Sequence, residues 1–350
     1  MAHVCFQRGK QVGLIALLTV GLLMANAKAG GGWTLFWSDE FDSTALNESN
    51  WSLDPSNSPD NGEQEHYTSG HDQANSNIFV KNGCLNIVAR NNGGITSGRI
   101  NTQNKRSFVH GRMEARMRLP VTQGMWPAFW MLGSNFSSVG WPACGELDIM
   151  EGRGRLPSWT SGSYHFPGFD VFNQYTLPMG NVHDSFHIYA VEWTTDSIRW
   201  FCDSANFGTI TKASHPNLPF DKEFWFILNL AVGGNFDGNS DNTTIFPESL
   251  IVDYVRVYHW DPNVGNTLPP ARLAVSPASL KYSDGSVFVV LPSCQTYYFE
   301  LVSVKGDKVL SGSGKASLFR INACGLSAGV YCAIVRGAFG TLKDRIVVPR

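Results

Sequence analysis

Apolar and polar positions alternate in short runs from Trp33 to Trp260. The stretches Gly83-Cys84-Leu85-Asn86-Ile87-Val88-Ala89 and Ile251-Val252-Asp253-Tyr254-Val255-Arg256-Val257-Tyr258 both keep a period near two, and residues 111–119 do the same. That period places successive side chains on opposite faces of a strand. Asn-Gly and Gly-Gly pairs separate the runs, and no segment sustains a helical period. About 230 residues of this character predict an all-β fold of two antiparallel sheets packed face to face. A curved sheet of that size would offer a groove along its concave face. After Trp260 the pattern breaks, and residues 261–270, with Pro262, Pro269 and Pro270, read as a linker. Residues 271–350 resume strand-like runs, as at Ser286-Val287-Phe288-Val289-Val290, and predict a small β-sandwich.

Composition narrows the classes. Only 16% of the 350 residues are charged and the net charge is -2, so there is no basic footprint for nucleic acid. Arg8 and Lys10 precede an apolar run from Val12 to Ala25, followed by small residues at Ala27 and Ala29. This predicts a signal peptide over residues 1–29 and a secreted protein, extracellular, cell-surface or periplasmic. The run is short for a membrane span, and none is expected elsewhere. Removing it leaves Cys84, Cys144, Cys202, Cys294, Cys324 and Cys332, which an oxidising compartment would allow to pair in any of several ways. All eleven Trp precede residue 261, whereas residues 271–350 carry ten Lys/Arg against four Asp/Glu. A segment without Trp is a poor platform for sugars, though Tyr297, Tyr298 and Tyr331 remain.

The densest chemistry lies in Glu146-Leu147-Asp148-Ile149-Met150-Glu151. On a regular strand Glu146 and Asp148 share a face and Glu151 takes the other. One inserted residue, a β-bulge, would bring Glu151 back beside them. The two glutamates would then be about 13 Å apart along the backbone. Side chains leaning inward could approach the roughly 5–5.5 Å separation of a retaining glycosidase. Glu146 would be the nucleophile and Glu151 the acid and then base, with Asp148 between them to share a proton or orient the nucleophile. Crowded like charges raise one pKa, as an acid working near neutral pH requires. The bland alternative, a solvated acidic edge, fits poorly beside apolar Leu147, Ile149 and Met150.

The order of further motifs resembles that of the bacterial laminarinases and lichenases of glycoside hydrolase family 16. They run from Trp37-Ser38-Asp39-Glu40-Phe41 through Asn61-Gly62-Glu63-Gln64-Glu65-His66-Tyr67 and Thr96-Ser97-Gly98-Arg99-Ile100. Gly111–Arg116, Gly124–Leu132, the carboxylate run, Phe186–Trp193 and Leu228–Asn235 follow. The resemblance implies a β-jelly-roll with a retaining mechanism, and the ExDxxE spacing implies the laminarinase side of the family. It implies β-glucan as the partner and no catalytic cofactor. Trp126, Trp130 and Trp141 match sugar-stacking positions, with core packing as the alternative. Asn61, Arg99 and His165 match positions that contact the glucosyl units near the cleavage point. The resemblance also implies one structural Ca2+ held by Glu40, the Gly83 carbonyl and Asp253.

The sequence departs from that pattern at Cys144, around His165, and at Phe236-Asp237 after Gly233-Gly234-Asn235, so subsite detail is open. Leu326-Ser327-Ala328-Gly329-Val330-Tyr331 resembles the sorting domains of some exported bacterial enzymes, implying contact with secretion machinery or the cell surface. A monomer is expected. A mixed-linkage glucanase, a transglycosylase and a non-catalytic glucan-recognition protein are the alternatives, and the intact carboxylate set argues against the last.

Overall fold

The computed structural model describes residues 31–57, 60–73, 75–219, 221–264, 279–283, 286–323, 325–337 and 340–348. The expected signal peptide and most of the expected linker lie outside these residues. Among the described residues strands are the main regular structure, joined by turns and loops, with two single-turn helices at Phe136–Val139 and Gly234–Asp237. The alternating runs become strands close to where the pattern places them, at Cys84–Asn91, Gly111–Arg118 and Glu248–Asp261.

Two large sheets form the N-terminal body. The seven-stranded one orders Phe169–Thr176, Trp159–Phe166, Glu146–Gly152, Met125–Gly133, Phe224–Val232, Arg99–Asn101 and Ser52–Leu53. The ten-stranded one centres on Gly111–Arg118, which lies between His187–Trp193 and Glu248–Asp261. Their facing surfaces make one core, with Met113, Ala115 and Met117 from the larger sheet and Leu147, Phe129 and Leu228 from the smaller. Fully burying side chains of this size stabilises by about 1.5–3 kcal/mol each.

Every residue of Phe224–Val232 is buried, which simple alternation does not predict. Phe224, Phe226, Leu228, Leu230 and Val232 enter the main core. Trp225 and Ile227 turn the other way and pack with Leu132 and Cys144, while Trp130 leans on this second cluster. The outer face of the smaller sheet is thus itself partly covered, as the floor of a groove would be.

Residues Ser279–Val348 form a separate five-stranded antiparallel sheet. Its longest strand, Ser286–Ser303, breaks register with Lys308–Asn322 between Val290 and Gln295. It has a core of its own around Val287, Leu301, Ala333 and Val335. Cys84, Cys144, Cys202 and Cys332 are free thiols, so the pairing that secretion would permit is not made at these four.

Candidate active site

The predicted bulge is present. Against Met125–Gly133 the pairing runs Glu146↔Leu132, Leu147↔Met131 and Asp148↔Trp130, then resumes at Met150↔Phe129, leaving Ile149 unmatched. Against Trp159–Phe166 the register also shifts, between Asp148↔Ser163 and Glu151↔Ser161. Leu147, Ile149 and Met150 are all fully buried, so the strand sends two successive apolar side chains inward at the bulge. Glu151 consequently shares the outer face with Asp148. Its Oε1 accepts the Trp126 indole N–H at 3.0 Å, and its Oε2 lies 3.4 Å from the Ser163 hydroxyl, which donates to it. Behind the bulge the Trp200 indole donates to the Asp148 carbonyl at 2.8 Å. Gly162 makes room for that ring, since a Cβ there would stand 2.2 Å from Trp200 Cδ1.

His165 stands opposite Glu146 across the strand pair. Its Nε2 lies 3.2 Å from Asp148 Oδ2 and 3.9 Å from Glu146 Oε1, and its Nδ1 lies 2.7 Å from Asp170. The Asp148 contact is an ion pair and not a well-aligned hydrogen bond. Trp141 is 58% exposed and neighbours Glu146, so it forms part of the rim. Trp126 is half-buried and stacks on Phe236 at 4.8 Å between centroids. Trp130 is half-buried and donates to Asn229 at 2.8 Å. Arg99 pairs with Asp54 at 2.7 Å and covers the Tyr67 ring at 4.6 Å. Exposed Asn61 lies 3.4 Å from Glu63, to which its amide donates. Trp126, Trp141 and His165 thus touch the carboxylates directly, whereas Asn61, Arg99 and Trp130 join through Glu63, Tyr67 and Asn229.

The expected calcium ligands are differently placed. Both oxygens of Glu40 accept from Arg256 at 2.8 Å, and Asp253 Oδ2 accepts from Arg116 at 2.8 Å. The Glu40 carboxylate does not fit as a metal ligand, because a cation there would meet a nearly buried guanidinium. The Gly83 carbonyl and Asp253 Oδ1, which takes a weak contact from the Cys84 thiol at 4.0 Å, remain as oxygens of a kind that suits a hard cation.

A family model described as glycosyl hydrolases family 16 matches residues 63–246, more than half of the chain. The chain belongs to this family. A glucan endo-1,3-beta-glucosidase A1 of Niallia circulans is 39% identical over 262 residues, covering 65% of this chain and 38% of that protein. A beta-glucanase of Rhodothermus marinus is 37% identical, covering 65% of this chain and 86% of its own length. The solved endo-beta-1,3-glucanase of Pyrococcus furiosus aligns with a TM-score of 0.62 at 41% identity, over 65% of this chain and 95% of that one.

In this family 16 hydrolase the acids sit in a dry setting. Burial, and then the Asp148 charge, pushes Glu146 up to about 9 and Glu151 up to about 8. Burial likewise raises Asp148, against the pull of His165. For His165 burial acts downward, but Asp148, Asp170 and Glu146 outweigh it and push the imidazole up to about 10. The oxygen and nitrogen donors of Glu146, Asp148 and His165 lie within 4.8 Å of one another, a spacing a metal could use. A protonated imidazole has no lone pair to give, so this cluster holds protons in preference to a metal. His187, Cys202 and Asp203 are similarly close, but burial raises the Cys202 thiol away from the thiolate a metal needs.

The motif order did not single out Ser163, Asp170 or Trp200, whose roles depend on pairing across strands. Glu63, Tyr67 and Asn229 lay within quoted motifs, but their spacing carried no role.

The raised acids have a thermodynamic consequence. Between about pH 4.5 and 8 the folded chain keeps a proton on Glu151 that the unfolded chain releases, so stability falls as pH rises through this window. The His165 ion pair acts in the same direction: its contribution is full below about pH 6.5 and is lost as pH passes about 10. Glu151→Gln should therefore gain stability relative to wild type from pH 5 to pH 8, by at least ~1.4 kcal/mol, the value of one pKa unit. Thermal melts across this range check it, and parallel curves for the two proteins would refute it.

Proposed function

We propose that the chain is an endo-β-1,3-glucanase of the laminarinase type, with mixed-linkage β-1,3-1,4-glucan as a second substrate, acting with retention. The observation that carries the mechanism is the bulge at Ile149, which puts Glu151 on the face that holds Glu146 and Asp148. The names and identities of the relatives support the substrate.

Two steps follow from the geometry. Glu146 attacks the anomeric carbon while Glu151 donates its proton to the departing glycosidic oxygen, giving a glycosyl-enzyme. Glu151, now a carboxylate, takes a proton from water, and the resulting attack on the anomeric carbon releases Glu146. The first step needs Glu146 bare and Glu151 protonated. Taken alone, burial would keep both protonated, but interacting acids titrate as a set. With one proton between them, the scheme puts the anion on Glu146, which has the His165 cation at 3.9 Å. Glu151, 8% exposed and next to Asp148, retains the proton. Asp148 holds His165 in place and keeps that cation at the site. Trp126, Trp130 and Trp141 supply apolar faces for glucosyl rings, while Asn61, Arg99 and His165 supply polar contacts.

Secretion through a signal peptide over residues 1–29 accords with this substrate, a polymer met outside the cell. Among the described residues no helix is long and apolar enough to cross a membrane. The C-terminal sheet would serve export or anchoring as an independent unit, given its separate core and lack of Trp. A structural Ca2+ would bind through the Gly83 carbonyl and Asp253 Oδ1.

Four outcomes test these assignments. NMR of early products from a β-1,3-glucan should show the β-anomer first, and Glu146→Gln should lower kcat at least about a thousandfold, ~4 kcal/mol of barrier. An α-anomer, or a variant that keeps its rate, contradicts the scheme. Excess chelator should lower the melting temperature of calcium-loaded protein without changing the anomer formed, and an unchanged melt removes the metal. A chain ending at Asp261 should keep turnover on soluble glucan and binding to insoluble glucan. A large loss of that binding would make the C-terminal sheet a carbohydrate-binding module.

A further inference from the structure

Away from Glu146 and Glu151, a second pair of acids lies under the groove. Glu65 is fully buried, and its Oε2 accepts the Val232 backbone N–H at 2.7 Å. Its Oε1 is also buried and has no hydrogen-bond donor. Glu63, half-buried, places its carboxyl against that of Glu65. The Tyr67 hydroxyl sits beside both acids, but its single hydrogen is donated to Glu63 Oε2 at 3.0 Å. The same hydroxyl oxygen accepts the Asn229 amide at 3.1 Å, and Asn229 Oδ1 accepts Trp130 Nε1–H at 2.8 Å.

The donors and acceptors form a directed line from Trp130 through Asn229 and Tyr67 to Glu63, and the line lacks one hydrogen at its end. Leaving a buried acceptor unmade is costly, and two facing carboxylates add repulsion. A proton on Glu63, donated to Glu65 Oε1, removes both penalties. We propose that Glu63 and Glu65 form an acid–carboxylate pair holding one proton, and that this proton positions Tyr67, Asn229 and Trp130 for the sugar chain. Asn61 and Arg99 join the same assembly, one donating to Glu63 and the other lying over Tyr67.

The charged surroundings agree. Burial, then Glu65, pushes Glu63 up to about 8, against the donors Tyr67 and Asn61. Burial holds Tyr67 far above the usual phenol range, so it remains a donor throughout. Arg99 is the cation facing the pair and acts on Tyr67, while its own charge is paired with Asp54. Glu63 and Glu65 are positioning residues, since they act on sugar through Trp130 and its neighbours.

The consequence for binding rests on the glucanase reading, while the shared proton does not, so the test has two arms. In a Glu146→Gln, Glu151→Gln protein, infrared difference spectra should show a carboxylic acid band near pH 7 that fades as pH passes about 8. Glu63→Gln should abolish that band, because its amide donates to Glu65 without a titrating proton. Calorimetry with a β-1,3-linked glucose oligosaccharide on the same Glu146→Gln, Glu151→Gln protein should show Kd weakening about tenfold between pH 7 and 9, as expected for a broken buried hydrogen bond. Adding Glu63→Gln should remove that pH dependence, whereas Glu63→Ala should weaken binding at both pH values. An infrared spectrum unchanged by Glu63→Gln overturns the shared proton. A persisting pH dependence of Kd in that variant overturns the positioning role. An infrared band that behaves as stated, with no oligosaccharide binding at any pH, refutes the positioning of a β-1,3-glucan and the substrate assignment with it, and leaves the acid pair standing.

Discussion

Between Asp148 and Glu151 the central strand carries one residue more than its neighbours can match, and most of the site follows from where that residue goes. Without the register shift, Glu151 would point into a core filled by Leu147, Phe129 and Met131. Burying an unpaired carboxylate there would cost several kcal/mol. With it, Ile149 and Met150 both serve the core and three acids meet on the outer face. The bulge is locked from both sides, by the Trp200 donor to the Asp148 carbonyl and by the Thr160 hydroxyl donating to the Glu151 carbonyl at 3.0 Å. Gly162 belongs to the same arrangement, because any side chain there would displace Trp200.

Gathering acids on a half-dry face raises a second problem, the repulsion of like charges in a medium that screens poorly. The structure meets it with one cation and a few donors. His165 lies between Asp148, Glu146 and Asp170, while the indole N–H of Trp126 serves Glu151. Trp126, expected to stack sugars, thus also acts on the charge state of Glu151. Stacking and proton chemistry are coupled through that ring, so replacing it would disturb both.

The floor beside them uses the same economy. Trp130 is oriented by Asn229, and the line of donors beyond it runs through Tyr67 to Glu63, beside buried Glu65. At the other end of the carboxylate strand, Phe236 stacks on Trp126, and Arg153 lies 4.2 Å from the Phe236 ring and 4.8 Å from that of Trp159. This aromatic corner stands at Phe236, one of the positions where the sequence departs from the family pattern.

The period-two alternation determined by itself that the chain would fold as sheets, because only one face of each strand can be covered by the other sheet. The carboxylate spacing likewise demanded a bulge, since five positions put Glu146 and Glu151 on opposite faces of a regular strand. His165 and the three tryptophans were legible through motif order. What sequence could not supply were contacts set by register between distant strands: Ser163 on Glu151, Asp170 on His165, and the line through Glu63, Tyr67 and Asn229. Those pairings depend on which strands neighbour one another and at what offset, and a period of two is the same for every offset of two. The calcium expectation shows the limit from the other side. Glu40 and Asp253 are acids at the expected positions, but only the fold brings Arg256 and Arg116 within 2.8 Å of them. Whether a carboxylate faces a metal, a guanidinium or a proton is decided by its neighbours in space, because its charge is priced by the dielectric and the donors that the folded chain places around it.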